Sequence, residues 1–277
     1  MKLKNALIYG VSLVLVAALA IGGTVAFLTS EDEDINVMTL GNVTIKQNEY
    51  QRVVNDDGTY ATDTIDGRNS YVLEDFTQNK PLLPIVGDPS LPNTDPGYKG
   101  YDATGVRMTQ VGSYGTMEVF DGKNAQDKFV TVTNTGKNDA YVRTFVAVEI
   151  GSGNYDYVGT SYHNTWKKNE VGAIKIDGEN YYLYEYIYLG GELSDGSWRH
   201  EGGLLPAGDT SYPSLSQVYI NSCVTNEDLE ALDGDNDGLL DIRVFSQAVQ
   251  ADGFENSAAA FKAAFGETSV DNHPWAD

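Results

Sequence analysis

A single cysteine, Cys223, stands in 277 residues, so the chain cannot close an internal disulfide and must hold itself together by packing. A lone thiol of this kind reads as a buried small hydrophobe. Histidine is nearly as scarce: His163, His200 and His273 lie far apart, and none has a second histidine one helical turn away. That spacing excludes the common zinc hydrolase, whose two imidazoles share a helix face with a glutamate beside the first. His200-Glu201 runs instead into Gly202-Gly203, a poor helix, and the three histidines read as surface residues. There is no Gly-x-Ser-x-Gly elbow and no glycine-rich phosphate loop after a strand. Basic residues are the third shortage, 18 against 40 acidic ones, for a formal net charge of −22. A surface that acidic repels nucleic acid and anionic lipid, which excludes both as partners. So many carboxylates also pair by chance, and their pairs give no support for a glycosidase. The expectation is a protein that is not an enzyme.

What is present points to strands. The 18 tyrosines and 29 glycines, with many threonines and valines, suit pleated strands and tight turns, and an all-β sandwich is the plain expectation. Lys2 and Lys4 precede an uncharged run from Asn5 to Ser30, long enough to span a bilayer as an anchor. Its end favours removal: Thr24 and Ala26 are small where a signal peptidase needs them small, and acidic residues follow instead of a basic stop-transfer cluster. Residues 1–26 therefore read as a signal peptide cut between Ala26 and Phe27. The mature form is then not membrane-embedded, and a signal peptidase is a partner during export.

Residues 27–47 form an acidic spacer, Glu31 to Asp34, followed by a β-type pattern. Ile35 and Val37, then Val43 and Ile45, alternate about an interruption at Gly41-Asn42, with Leu40 completing the apolar set. A free end carrying a strand able to pair is what a subunit needs to complete a neighbour's sheet. Residues 48–277 read as one domain. Tyr50 to Lys123 is turn-dense, and two hairpins with a proline-rich crossing from Lys80 to Pro96 account for it. Leu91 to Asp95 lacks the terminal glycine and the tail of a wall-sorting signal. Phe129 to Val132 and Ala140 to Ile150 read as a hairpin around Thr135 to Asp139. Tyr181 to Leu189 alternates, with Tyr182, Tyr184, Tyr186 and Tyr188 on one face, read as a tyrosine ladder opposite the core face. Ile242 to Gln250 is the last strand, and Ser257 caps a helix through Phe265 that closes one end of the sandwich.

Asp233-Gly234-Asp235-Asn236-Asp237-Gly238-Leu239-Leu240-Asp241 matches the front of a calcium loop. Asp233, Asp235 and Asp237 supply carboxylates at the first, third and fifth positions, Leu239 a carbonyl at the seventh and Asp241 the ninth. The twelfth position is Val244, where a bidentate glutamate belongs, so a structural Ca2+ here needs a ligand from elsewhere in the chain. A solvated acidic turn is the alternative.

The order of a long signal segment, GGTVAFLTS, an acidic stretch and NVMTLGNVTIKQNE resembles the TasA/camelysin family, as do DKFVTVTNTGKNDAYVRTFVAVE and IRVFSQAVQADGF...AAFKAAFG, in its clostridial-type branch. The resemblance implies a jelly-roll-like β-sandwich exported by a Gram-positive bacterium through a dedicated ER-type signal peptidase, kept at the cell surface or in the biofilm matrix. In some members it implies polymerisation by N-terminal strand donation. The expectation is thus a fibre subunit whose partner is itself, head to tail, with Ile35, Val37, Leu40, Val43 and Ile45 as the donor strand. A monomeric surface adhesin using the tyrosine face is the alternative, and a camelysin-like metallopeptidase is a third.

Overall fold

The computed structural model describes residues 26–29, 37–40, 43–65, 68–77, 80–84, 106–111, 116–120, 124–192, 198–221 and 223–276. Residues 1–25, Ile35 and the Leu91–Asp95 stretch lie outside them. Two sheets face each other. Their strands in chain order are β1 Ala26–Thr29, β2 Val37–Leu40, β3 Ile45–Arg52, β4 Leu73–Asp75, β5 Lys80–Leu82, β6 Gln126–Asn134, β7 Ala140–Glu149, β8 Val158–Ser161, β9 Trp166–Ile176, β10 Glu179–Tyr188, β11 Leu215–Ile220 and β12 Leu239–Gln250. One sheet runs β9-β10-β7-β12-β1-β5, with β2 also paired to β12; the other runs β8-β11-β6-β3-β4. The protein is an all-β sandwich with turn-rich insertions and a short C-terminal helix.

The interior takes alternate residues from each sheet. Val142, Val146 and Val148 of β7, Tyr184, Tyr186 and Tyr188 of β10, and Leu240, Ile242 and Val244 of β12 meet Ile45, Val130, Val132, Leu215 and Val218 from across the gap. Each large side chain buried this way contributes about 1.5–3 kcal/mol. All ten residues of β7 are buried, because its outer face is covered as well.

Three sequence expectations need correcting. β6 and β7 are not a hairpin: β6 pairs with β3 and β11, β7 with β10 and β12, and the link between them crosses from one sheet to the other. Alternation records which face of a strand is apolar, not which strand lies beside it. The buried Asn134 shapes the crossing, donating to the carbonyls of Asn138 (2.8 Å) and Leu205 (2.9 Å) while accepting from the Gly136 N–H (3.0 Å). The tyrosine row of β10 is the interior face, not a free ladder: Tyr186 and Tyr188 are fully buried. Tyrosine is tolerated there because its hydroxyls are partnered, Tyr186 by Thr160 at 3.1 Å and Tyr188 by His200 at 2.8 Å. The C-terminal helix, α2, spans Ser257–Phe265 with Asn256, one residue earlier than expected, as its N-cap and Gly266 (φ 81) at its end. It lies on the outer face of the β7–β12 pair, not over an end: Phe261 packs with Tyr141 and Val249, and the Arg143 guanidinium sits between the rings of Phe261 (4.6 Å) and Phe265 (5.3 Å).

The turn-dense insertion contains the hairpins Thr62–Ile65 with Arg68–Tyr71 and Val106–Val111 with Thr116–Phe120, joined into one small sheet. Its anchor is Arg52 at the end of β3. The guanidinium donates to both carboxylate oxygens of Asp127 (2.7 and 2.9 Å) and lies over Tyr60 (3.7 Å) and Tyr71 (4.9 Å). Among the described residues no helix is long and apolar enough to cross a membrane.

Candidate functional site

The acidic loop lies between two elements that fix its ends. A helix, α1, spans Asn226–Leu232; Thr225 and Asp228 form a capping box at its start, and Leu229 and Leu232 anchor it in the core. Asp233 ends it. At Leu239 the chain enters β12, whose partner β7 finishes alongside at Glu149. Within the loop the carboxylates organise backbone: Asp233 Oδ2 accepts from the Gly238 N–H (2.8 Å), Asp235 Oδ1 from that of Asp237 (3.1 Å), and Asp237 Oδ1 from that of Leu239 (2.8 Å). Gly238 has φ 83, a left-handed conformation that lets the chain turn under the carboxylates.

The residue sequence reasoning missed is Glu149. It is 3 % exposed and accepts from the Gly234 N–H (2.7 Å) and the Asp241 N–H (3.0 Å), one oxygen to each. Its ligand oxygen lies with those of Asp233 and Asp235 in a group within 4.8 Å. Val244, at the loop's twelfth position, is buried in the core, and Glu149 brings the additional carboxylate from another strand. Leu239 and Asp241 begin β12, and the Asp241 carboxylate accepts from the Tyr181 hydroxyl at 3.4 Å. Burial raises the Glu149 pKa to about 7 despite its two backbone donors, and the charges of Asp241 and Asp233 push the same way. Asp237 is also shifted up, first by desolvation and then by Asp235, Asp233 and Asp241.

The histidines form no centre. His200 is buried, not a surface residue: its Nδ1 meets the Tyr188 hydroxyl and its Nε2 the Asp209 carboxylate at 2.9 Å, so it pins a surface turn to β10. His163 stacks on Tyr212, and His273 accepts from the Trp275 N–H. Cys223 is exposed, contrary to its reading as a buried hydrophobe.

The N-terminal residues meet the flank of β12 that faces away from β7. β1 runs parallel to it, Phe27 beside Leu239 and Thr29 beside Asp241, and β2 does so further on, Val37 beside Ser246 and Leu40 beside Val249. The expected cut between Ala26 and Phe27 falls inside β1, which also pairs with β5. From Thr29 to Val37 the chain advances eight residues while β12 advances five, so β1 and β2 do not make one continuous strand on β12. Val43 and Ile45 are separated from these stretches in role: both are buried in the chain's own core, 4 % and 6 % exposed, and Ile45 opens β3 in the opposite sheet. Ser246 donates to Gln47 at 2.7 Å across the interior, tying β12 to β3 beneath the N-terminal stretches. No known protein family, no curated protein and no solved structure matches the chain.

Proposed function

We propose that this is an exported structural subunit of a cell surface or matrix fibre, in which β1 and β2 leave their own β12 and pair with β12 of another copy. The observation that carries the reading is the flank of that twelve-residue central strand, covered by β1 and β2, both N-terminal to the first core strand β3. Strand addition to such a flank draws its affinity from main-chain hydrogen bonds, and alternate side chains set its register. The resemblance to the TasA/camelysin family points the same way. Val43 and Ile45 stay in their own subunit, because withdrawing them would open the core, and the exchanging segment ends at Leu40. Tyr184, Tyr186 and Tyr188 are interior, so of the tyrosine row the half-buried Tyr182 alone is left to an adhesin.

A protein lacking residues 27–40 is expected to remain a folded particle without filaments in electron micrographs, where the parent forms them. Filaments of normal length from the shortened protein would end the proposal.

The acidic loop is proposed to hold a structural divalent cation, Ca2+ in the extracellular setting, on Asp233, Asp235 and Glu149. The donor set is all oxygen and all carboxylate, which suits a hard cation. Bound there, the ion would supply a fixed positive charge joining the start of β12 to the end of β7. Titration calorimetry on Asp235→Ala is expected to show the heat of calcium binding lost relative to the parent; equal heats would remove the site.

A further inference from the structure

We infer that Lys168 is a covalent acceptor site, whose amine condenses with small aldehydes to form an imine. β9 is the margin of its sheet and β8 the margin of the other, and contacts between the two strands close one side of the sandwich. Lys168 lies opposite Tyr186 of β10 and shares the face of the sheet that carries that buried ring, while Lys167 beside it is exposed. The Lys168 Nζ donates to Thr160 Oγ1 of β8 at 3.0 Å and sits over the ring of Tyr184 at 3.8 Å. The same Thr160 oxygen meets the Tyr186 hydroxyl at 3.1 Å.

The partners of this amine set it apart. Lys128 is paired with Glu49 and Lys262 with Glu267, yet in a chain of 40 acidic residues the described structure brings no carboxylate into ion-pair contact with Lys168. A half-buried ammonium answered by one hydroxyl and the face of a ring is poorly compensated for the water it has lost, and shedding its proton relieves that cost. Burial accordingly pulls the Lys168 amine down to about 8, against the opposing influence of Glu170. At pH 7.5 about a quarter of it is then uncharged, against about one in a thousand for an ordinary lysine. A desolvated lysine of this kind is a nucleophile toward carbonyl carbon. The uncharged Nζ adds to the aldehyde carbon, the proton given up by the ammonium goes to the carbinol oxygen, and that oxygen leaves as water. Ammonium and aldehyde go in; a protonated imine and water come out. The surroundings select the aldehyde: the protonated imine is again a cation with an N–H, so the Tyr184 ring and Thr160 Oγ1 can hold it as they hold the ammonium. An acyl donor would leave a neutral amide over the ring and forfeit that contact.

The test treats the full mature chain at pH 7.5 with propanal and cyanoborohydride, which traps the imine as a secondary amine, and in parallel with the N-hydroxysuccinimide ester of acetic acid. Peptide mass mapping over time follows each lysine, with the exposed Lys167 and Lys175 of the same strand as internal references. Propanal is expected to modify Lys168 at least about tenfold faster than either, the lower basicity of the amine giving back part of the gain from its uncharged fraction. The acetyl ester is expected to show a smaller preference, and in denaturant the preference for Lys168 is expected to vanish with both reagents. Lys168 reacting with propanal no faster than Lys167 overturns the site. An equal preference with both reagents overturns the assignment to aldehydes, and a preference that persists in denaturant overturns the part given to Thr160 and Tyr184.

Discussion

Replacing Asp127 with alanine is expected to lower stability by about 3–5 kcal/mol, read as a shift in the denaturant midpoint of the mature protein. Asp127 faces the guanidinium of Arg52, whose side chain is 0 % exposed, and also accepts from the Arg52 backbone N–H (3.1 Å) and from Gln217 Nε2 (2.8 Å). Without the carboxylate the guanidinium loses its bidentate partner in a place water does not reach, and the aromatic faces of Tyr60 and Tyr71 offset only part of that loss. The size of the effect is the penalty of stripping a buried guanidinium of this carboxylate and not the worth of the pair. Removing both charges in Arg52→Met with Asp127→Leu is therefore expected to cost less than Asp127→Ala alone. A double variant as unstable as the two single changes added together would contradict that account. Arg52 ends β3, so its loss also loosens the 53–77 insertion, and proteolysis of Asp127→Ala should begin there.

The same residues show how far a sequence can be read. The strands were legible because β7 is rich in β-branched and aromatic residues, β10 alternates from Tyr182 to Tyr188 and β12 from Leu240 to Val244, and the C-terminal helix because Gly266 stops it. Pairing was not legible. Alternation in β6 and β7 is satisfied equally by a hairpin and by a crossing between sheets, and the deciding contact, Asn134 to Leu205, joins residues 71 apart. The tyrosine row was misplaced because a phenol is ambiguous: its ring belongs inside, its hydroxyl wants a partner, and the partners Thr160 and His200 come from other parts of the chain. α1 went unseen although Thr225 and Asp228 spell a capping box, since it is a single short element ahead of a loop that drew attention to its acids. The loop was found by its spacing. Glu149 carries no such signal, being 85 residues before Gly234, and only the β7–β12 pairing brings it there.

Glu149 yields the second large effect. Its ordinary pKa of 4.5 becomes about 7 in the folded, metal-free protein, so between those values the folded chain holds a proton that the unfolded chain has released. The sign follows: the stabilisation is fully present below pH 4.5 and is lost as pH rises through 7, about 3 kcal/mol in all. A cation in the loop reverses the preference, because it binds the carboxylate and drives the proton off. Metal-free protein is therefore expected to unfold at lower denaturant as pH is raised from 5 to 7.5, and millimolar Ca2+ to restore the midpoint most at the upper end. Glu149→Gln should flatten the pH dependence and abolish the calcium gain together, whereas Asp235→Ala should abolish the gain and keep most of the slope. A parent protein whose midpoint ignores Ca2+ at pH 7.5 would leave Glu149 as a buried acid that two backbone N–H groups hold in place, and the loop as a turn.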